Sequence, residues 1–210
     1  MTGLYAITQP HPAGFDQTLR QVEAALAGGT RIIQYRDKQP GAARRIKEAE
    51  NLRQRCHEHN ALLIINDDID LAIEVNADGV HVGREDSGIQ DARRQLGDRA
   101  IIGISCYNQL PLAIAAEQAG ADYVAFGRFF PSTTKPEAVQ AEVALLTEAK
   151  RQLQLPIVAI GGITPENGAT LLAAGADMLA VIDALFGSQD IATSCQHFIQ
   201  LFDRPERESS

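Results

Sequence analysis

Gln34, Arg36 and Lys38 follow a short β-prone run, Arg31-Ile32-Ile33, at alternate positions. In an extended strand alternate side chains share a face, so an amide, a guanidinium and an ammonium project together while Tyr35 and Asp37 face the other way. Two cations on one strand face repel unless something anionic sits opposite them. The set reads either as an anion site at a strand end or as a solvated edge with scattered charges. Other residues bear on the choice. Asn66, Asp67 and Asp86 are hard oxygen donors of the kind Mg2+ takes. That ion accepts one or two carboxylates and fills its remaining positions with water and substrate phosphates. Lys135 adds a third cation to Arg36 and Lys38. Cations beside a pair of metal-binding carboxylates imply a diphosphate or two phosphates. Gly161-Gly162, just before Thr164-Pro165, offers bare backbone N–H groups and a helix N-terminus, which suit a phosphate monoester.

Plainer readings stand beside these. One of Asp67 and Asp68 is expected to cap the following helix, and Asp86 could be a cap as well. A Gly-Gly pair occurs in many turns. His81 lies inside a strand and reads first as a satisfied core histidine. Cys106 faces away from Ser105 and reads as a packed thiol, while Tyr107, Tyr123 and Phe129-Phe130 read as packing. No Ser–His–Asp ordering or nucleophile elbow supports covalent catalysis.

These side chains need elements to hold them. Apolar runs alternate with amphipathic segments along the whole chain. The expected strands are Leu4–Ile7, Ile32–Gln34, Leu62–Ile65, Gly79–Val82, Ile101–Ile104, Tyr123–Phe126, Ile157–Ile160 and Met178–Ile182. Expected helices include Phe15–Ala27, Ala42–His59, Asp68–Val75, Gln109–Ala119, Ala138–Gln152, Pro165–Ala174 and Ile191–Phe202. Eight such units predict an α/β fold, a (β/α)8 TIM barrel, for which 210 residues is short but sufficient. A doubly wound open sheet is the competitor, disfavoured by the regular units and the lack of a long insertion. The continuous apolar strands suit a parallel sheet covered on its outer face. A weak repeat, Asn76-Ala-Asp78, Ala119-Gly-Ala-Asp122 and Ala174-Gly-Ala-Asp177, ends a helix and starts a strand each time, and says nothing about chemistry. The expectation is one catalytic barrel over 1–203 and a disordered polar tail over 204–210. In such barrels function sits where strands end, and there the chain places Gln34, Asn66, Ser105, Ser132, Thr134, Gly162, Ile182 and Asp183 beside the charged groups already named.

Composition narrows the class. The chain is 45% hydrophobic and 22% charged, with 19 basic and 27 acidic residues and a net charge of −8. That balance argues against a nucleic-acid or anionic-membrane surface. The three cysteines, Cys56, Cys106 and Cys195, are far apart and make no metal spacing, so they read as free thiols in a reducing compartment. With no secretory pattern and no apolar run long enough for a bilayer, a cytoplasmic location is the default.

Five stretches in order, each at a strand end, resemble the thiamine-phosphate synthase family. They are Gln34-x-Arg36-x-Lys38, Ile65-Asn66-Asp67-Asp68, Ala77-Asp-Gly-Val-His-Val-Gly83-x-x-Asp86, Ser132-x-Thr134-Lys135 and Ile160-Gly-Gly-Ile-Thr164. The resemblance implies a (β/α)8 enzyme joining 4-amino-2-methyl-5-pyrimidinylmethyl diphosphate to a thiazole phosphate, releasing diphosphate. It implies that Arg36, Lys38 and Lys135 hold the diphosphate with help from Asn66 and Ser105, and that Gln34 faces the pyrimidine. It implies Mg2+ on Asp67 and Asp86, and Ser132 and Thr134 on the thiazole, whose phosphate meets Gly162 and the backbone of Ile182 and Asp183. The partners implied are small-molecule substrates, with no nucleic acid or membrane, and a homo-oligomer is left open. Four positions depart from the family pattern: Arg84 where Gln is frequent, Gln9 where Asp is common, Asp183 where Ser is common, and Arg128 where Pro is commoner. The Asp183 carboxylate would repel a phosphate unless it turns aside. Rival readings are a thiazole tautomerase of the same fold, a non-catalytic thiamine-phosphate binder, and an unrelated phosphate-binding barrel. The first needs no diphosphate site, the second predicts a lost ligand, and the third needs acid–base groups in place of cations with Mg2+.

Overall fold

Short runs of aliphatic and β-branched residues form the strands, and in each the side chains alternate between two apolar environments. The computed structural model describes residues 1–83, 88–131 and 139–203. Its strands are β1 (Gly3–Ile7), β2 (Ile32–Tyr35), β3 (Leu62–Asn66), β4 (Gly79–Val82), β5 (Ile101–Tyr107), β6 (Tyr123–Gly127), β7 (Ile157–Ile160) and β8 (Met178–Val181). All pair in parallel with their sequence neighbours, and β1 pairs with β8 to close the barrel. The helices described around it are α1 (Phe15–Ala27), α2 (Ala42–Glu58), α3 (Ile69–Glu74), α4 (Ile89–Leu96), α5 (Leu110–Gln118), α6 (Ala144–Gln152), α7 (Pro165–Ala173), α8 (Asp183–Phe186) and α9 (Ile191–Phe202).

Alternation splits the core in two. Tyr5, Ile7, Ile32, Ile64, Tyr123, Ala125, Val158, Met178 and Ala180 pack together inside the barrel. Leu4, Ala6, Ile33, Leu63, Ile65, Val80, Val82, Val124 and Phe126, of opposite parity, pack against helices outside it. The expected (β/α)8 barrel is therefore present, and three local expectations need correction. Strand β5 runs past Ser105 to Tyr107 across a register irregularity. The helix expected from Ala138 starts instead at Ala144. The short α8, which has no side-chain cap at Ile182, was not anticipated.

The weak repeat has a physical purpose. Asn76, Gly120 and Gly175 all take left-handed φ values, of 50°, 89° and 115°, turning the chain from helix to strand. The aspartate that follows then accepts a backbone N–H from the base of the preceding strand. Asp78 takes that of Leu63 at 2.7 Å, Asp122 that of Ile102 at 2.7 Å and Asp177 that of Ile157 at 2.8 Å. Each carboxylate also meets a basic side chain: His57, Arg93 and Lys150 respectively.

Candidate active site

Side chains of barrel-interior parity at the carboxyl ends of the strands change from apolar to polar. Gln34, Asn66, His81 and Ser105 lie above Ile32, Ile64, Gly79 and Gly103 on the same faces. They line a cavity of about 330 Å3, with Arg36, Arg128, Gly162, Ile182 and Asp183 around it. A neighbouring groove holds Lys38, Asp67 and Asp68 and shares Asn66 with the cavity. Thus Gln34, Arg36, Asn66, Ser105, Gly162, Ile182 and Asp183 come together, and Lys38 and Asp67 stand next door. Asp86, Ser132, Thr134 and Lys135, and the departing Arg84, lie outside the described residues.

The odd-numbered residues of the opening stretch explain how its even-numbered ones are held. The Tyr35 hydroxyl donates to Glu48 of α2 at 2.6 Å, and Arg44 of α2 spans Glu48 at 2.8 Å and Asp37 at 2.5 Å. Burial, then the Glu48 carboxylate, keeps the Tyr35 phenol protonated. The Asp37 carboxylate is thereby taken up by Arg44 on the outer side, away from the cavity face that Arg36 lines. The Arg36 backbone N–H donates to Thr8 Oγ1 at 3.0 Å, fixing the loop to the end of β1.

At the end of β3 the two aspartates divide their work. Asp68 is the N-cap of α3 and accepts the Leu71 N–H at 2.8 Å, while its other oxygen pairs with Arg45. Asp67 does not cap α3 and lines the groove beside it. It holds a left-handed φ of 63°, unusual for a residue with a Cβ but tolerated by aspartate. Its backbone N–H donates to the His81 carbonyl at 2.8 Å, which fixes that conformation. Its Oδ2 receives Asn66 Nδ2 at 2.6 Å and lies 3.2 Å from Lys38 Nζ. Among the described residues no group of three or more His, Cys, Asp or Glu gathers to hold a metal by itself.

Beneath the cavity runs a chain of buried polar contacts. Gln34 Nε2 donates to the Tyr5 hydroxyl at 2.8 Å, and the Tyr5 and Tyr123 hydroxyls are 2.8 Å apart. Tyr123 meets His81 Nδ1 at 2.9 Å, and His81 Nε2 meets Ser105 Oγ at 2.9 Å. Burial raises both phenols, so they remain neutral. His81 is the satisfied buried histidine expected, and it also lines the cavity. Tyr5 was not anticipated, and Tyr123 is more than packing. The inward parity of both positions was the available signal.

After β7 the backbone itself is the feature. Gly161 and Gly162 have φ values of 102° and 63°, and a Cβ on Gly162 would lie 2.2 Å from the Pro131 carbonyl oxygen. Asn167 braces the turn, donating to the Gly162 carbonyl at 3.0 Å and accepting the Thr164 N–H at 2.9 Å. Gly162→Ala is expected to destabilise the protein by about 2–4 kcal/mol, combining left-handed strain with the clash against a carbonyl. Urea unfolding measures this, and a midpoint equal to that of the parent chain would refute it.

The departures at 9 and 183 meet each other: Gln9 Nε2 donates to Asp183 Oδ1 at 3.2 Å. The Asp183 carboxylate is thus drawn toward the end of β1. Cys106 is fully buried on the helix-facing side, and burial pushes its thiol up to about 12, which fits the packed thiol expected and rules out a ready nucleophile.

Comparison with known proteins gives a consistent result. Residues 4–185 match the family model described as thiamine monophosphate synthase. The chain is 57% identical over 200 residues to the thiamine-phosphate synthase of Nitrosococcus oceani, covering 95% of this chain and 92% of that one. It is 46% identical over 203 residues to that of Thioalkalivibrio sulfidiphilus, covering 97% and 96%. The solved thiamine phosphate pyrophosphorylase from Pyrococcus furiosus superposes with a TM-score of 0.87 at 33% identity, covering 96% of both chains.

Proposed function

The chain belongs to the thiamine monophosphate synthase family, and from that premise we propose how its residues divide the work of making thiamine phosphate. The enzyme is a transferase of thiamine phosphate synthesis; the isomerase reading is not favoured by any of these relatives. The substrates we assign are the aminopyrimidinylmethyl diphosphate and the thiazole phosphate, and the barrel over 1–203 acts as one catalytic unit. The observation that carries the assignment is the convergence of Gln34, Arg36, Asn66 and Ser105 on one cavity beside the Lys38–Asp67 pair.

The reaction breaks the bond between the methylene carbon and the diphosphate oxygen. Negative charge grows on the leaving diphosphate, and fixed cations facing it are often the largest catalytic contribution. Arg36 and Lys38, with Lys135 from outside the described residues, supply that charge; Asn66 and Ser105 add hydrogen-bond donors. The Lys38 side chain is 63% exposed. Its pairing with Asp67 is therefore weak and easily exchanged for a substrate oxygen. The pyrimidinylmethyl fragment left behind is cation-like, stabilised by its amino-substituted ring, with Gln34 against that ring. The thiazole nitrogen then attacks the methylene. It carries no proton to lose, so no general base is needed. We assign the thiazole phosphate to Gly162 and the backbone of Ile182 and Asp183, and the thiazole ring to Ser132 and Thr134, which lie outside the described residues.

Of the two carboxylates assigned to Mg2+, Asp67 suits the ion and Asp86 lies outside the described residues. Asp67 is a hard carboxylate held at the groove by its own backbone and not used as a cap, and Asp86 would supply the second. Bound there, Mg2+ would neutralise diphosphate oxygens as a Lewis acid. The test is turnover of the two substrates with Mg2+ and then with EDTA. Thiamine phosphate formed only with Mg2+ is the expected result. Product persisting in EDTA would keep the transferase and remove the metal from Asp67 and Asp86. No product in either tube would overturn the substrate assignment.

A further inference from the structure

Tyr123 is fully buried and does not line the cavity, yet it joins two residues that do. Its ring stacks on His81 at 5.6 Å and meets Tyr5 edge-on at 5.9 Å. The fold keeps space for it: a Cβ on Gly103 of β5 would lie 1.9 Å from the ring carbon that bears the hydroxyl. Thus the bare position in the middle of β5 accommodates this one hydroxyl.

The direction of the chain follows from its first member. An amide nitrogen donates and cannot accept, so the Tyr5 oxygen accepts from Gln34. Among the described residues the other partner of Tyr5 is Tyr123, so the single Tyr5 hydrogen goes there. Tyr123 then has one hydrogen of its own, and His81 Nδ1 receives it. A neutral imidazole accepting at Nδ1 carries its hydrogen on Nε2, which donates to Ser105 Oγ. A doubly protonated His81 would give Tyr123 two donors and leave its own hydrogen without an acceptor among the described residues. The Ser105 hydrogen is the one that remains, and Ser105 lines the cavity.

We propose that Tyr123 is a positioning residue. It joins the one-way chain Gln34→Tyr5→Tyr123→His81→Ser105, holds His81 as the Nε2–H tautomer, and turns the Ser105 hydroxyl hydrogen toward the oxygens of the leaving diphosphate. This rests on the substrate assignment above for what Ser105 meets, though not for the order of the chain itself. The ends of the chain touch the pyrimidine and the diphosphate, so the same buried hydroxyls link recognition of the ring to stabilisation of the leaving group.

The test has two arms. In the free protein, 15N spectra of histidine, with the His81 signals identified by their loss in His81→Gln, are expected to show Nδ1 unprotonated and Nε2 protonated. The opposite tautomer, or a charged ring, would overturn the order of the chain, and this reading needs no variant that folds poorly. In the second arm Tyr123→Phe keeps the ring and removes the hydroxyl. It is expected to mix the His81 tautomers and lower kcat about tenfold, with the KM for thiazole phosphate unchanged. Parent-like kcat with an unchanged tautomer would overturn the role of Tyr123. If the parent protein itself makes no thiamine phosphate, the substrate assignment fails, while the tautomer measurement still decides the chain.

Discussion

Arg36→Ala is expected to lower kcat/KM by about a hundredfold or more, while Cys106→Ala leaves it near the parent value. Arg36 lines the cavity, and its backbone N–H is tied to Thr8 at the end of β1. Its neighbour Asp37 is held by Arg44 on the outer face. That pairing offsets the negative charge next to Arg36 in the chain. Most of the loss is expected in the step that expels diphosphate, because charge there is greater in the transition state than in the ground state. Steady-state kinetics in both substrates measures this. Equal loss in the two variants, or none in either, would mean that the mouth has been placed at the wrong residues. Cys106 faces the helices with its thiol protonated, and its replacement removes only a small packed group.

The second large effect concerns Asp67. Asp67→Asn is expected to lower kcat by about a hundredfold and raise the Mg2+ concentration needed for half-maximal activity, with a melting temperature close to the parent's. The separation of the two readouts comes from the backbone. Asn is as much at ease as Asp at the left-handed φ of 63°, so the fold has little reason to respond. Hydrogen bonding from Asn66 and the contact with Lys38 involve Oδ2, whose charge is what the substitution removes. Asp68→Asn would be the wrong variant to compare, since Asp68 caps α3. A fall in melting temperature equal in weight to the fall in activity would make Asp67 a structural residue.

The sequence alone made the barrel and most of its mouth legible, and the reasons are local. Strand alternation places Gln34 in the cavity and Tyr35 toward α2, as found, but β2 ends at Tyr35, and Lys38, expected on the face of Gln34, stands in the neighbouring groove that Asp37 also lines. The helix start after Asp68 was legible from cap chemistry, although which aspartate caps needed coordinates. What stayed hidden depends on closure of the sheet. Gln9 and Asp183 are 174 residues apart and meet because β1 pairs with β8. Read singly, each is a departure from a pattern; together they are one interaction. Tyr5 and Tyr123 lie 118 residues apart and touch across the barrel interior. The early start expected for α6 and the missed α8 have a different cause: helix ends and single-turn helices are what sequence pattern marks least sharply.

The three aspartates that take up backbone N–H groups at strand bases stand at the rim opposite the cavity. Each ties the start of one strand to the turn that launches the next, so the far rim is fastened pair by pair without borrowing any residue from the mouth. Durability and chemistry therefore reside at opposite poles of the molecule. A lineage moving to hotter surroundings could refashion one pole while leaving the other, and its catalytic inheritance, untouched.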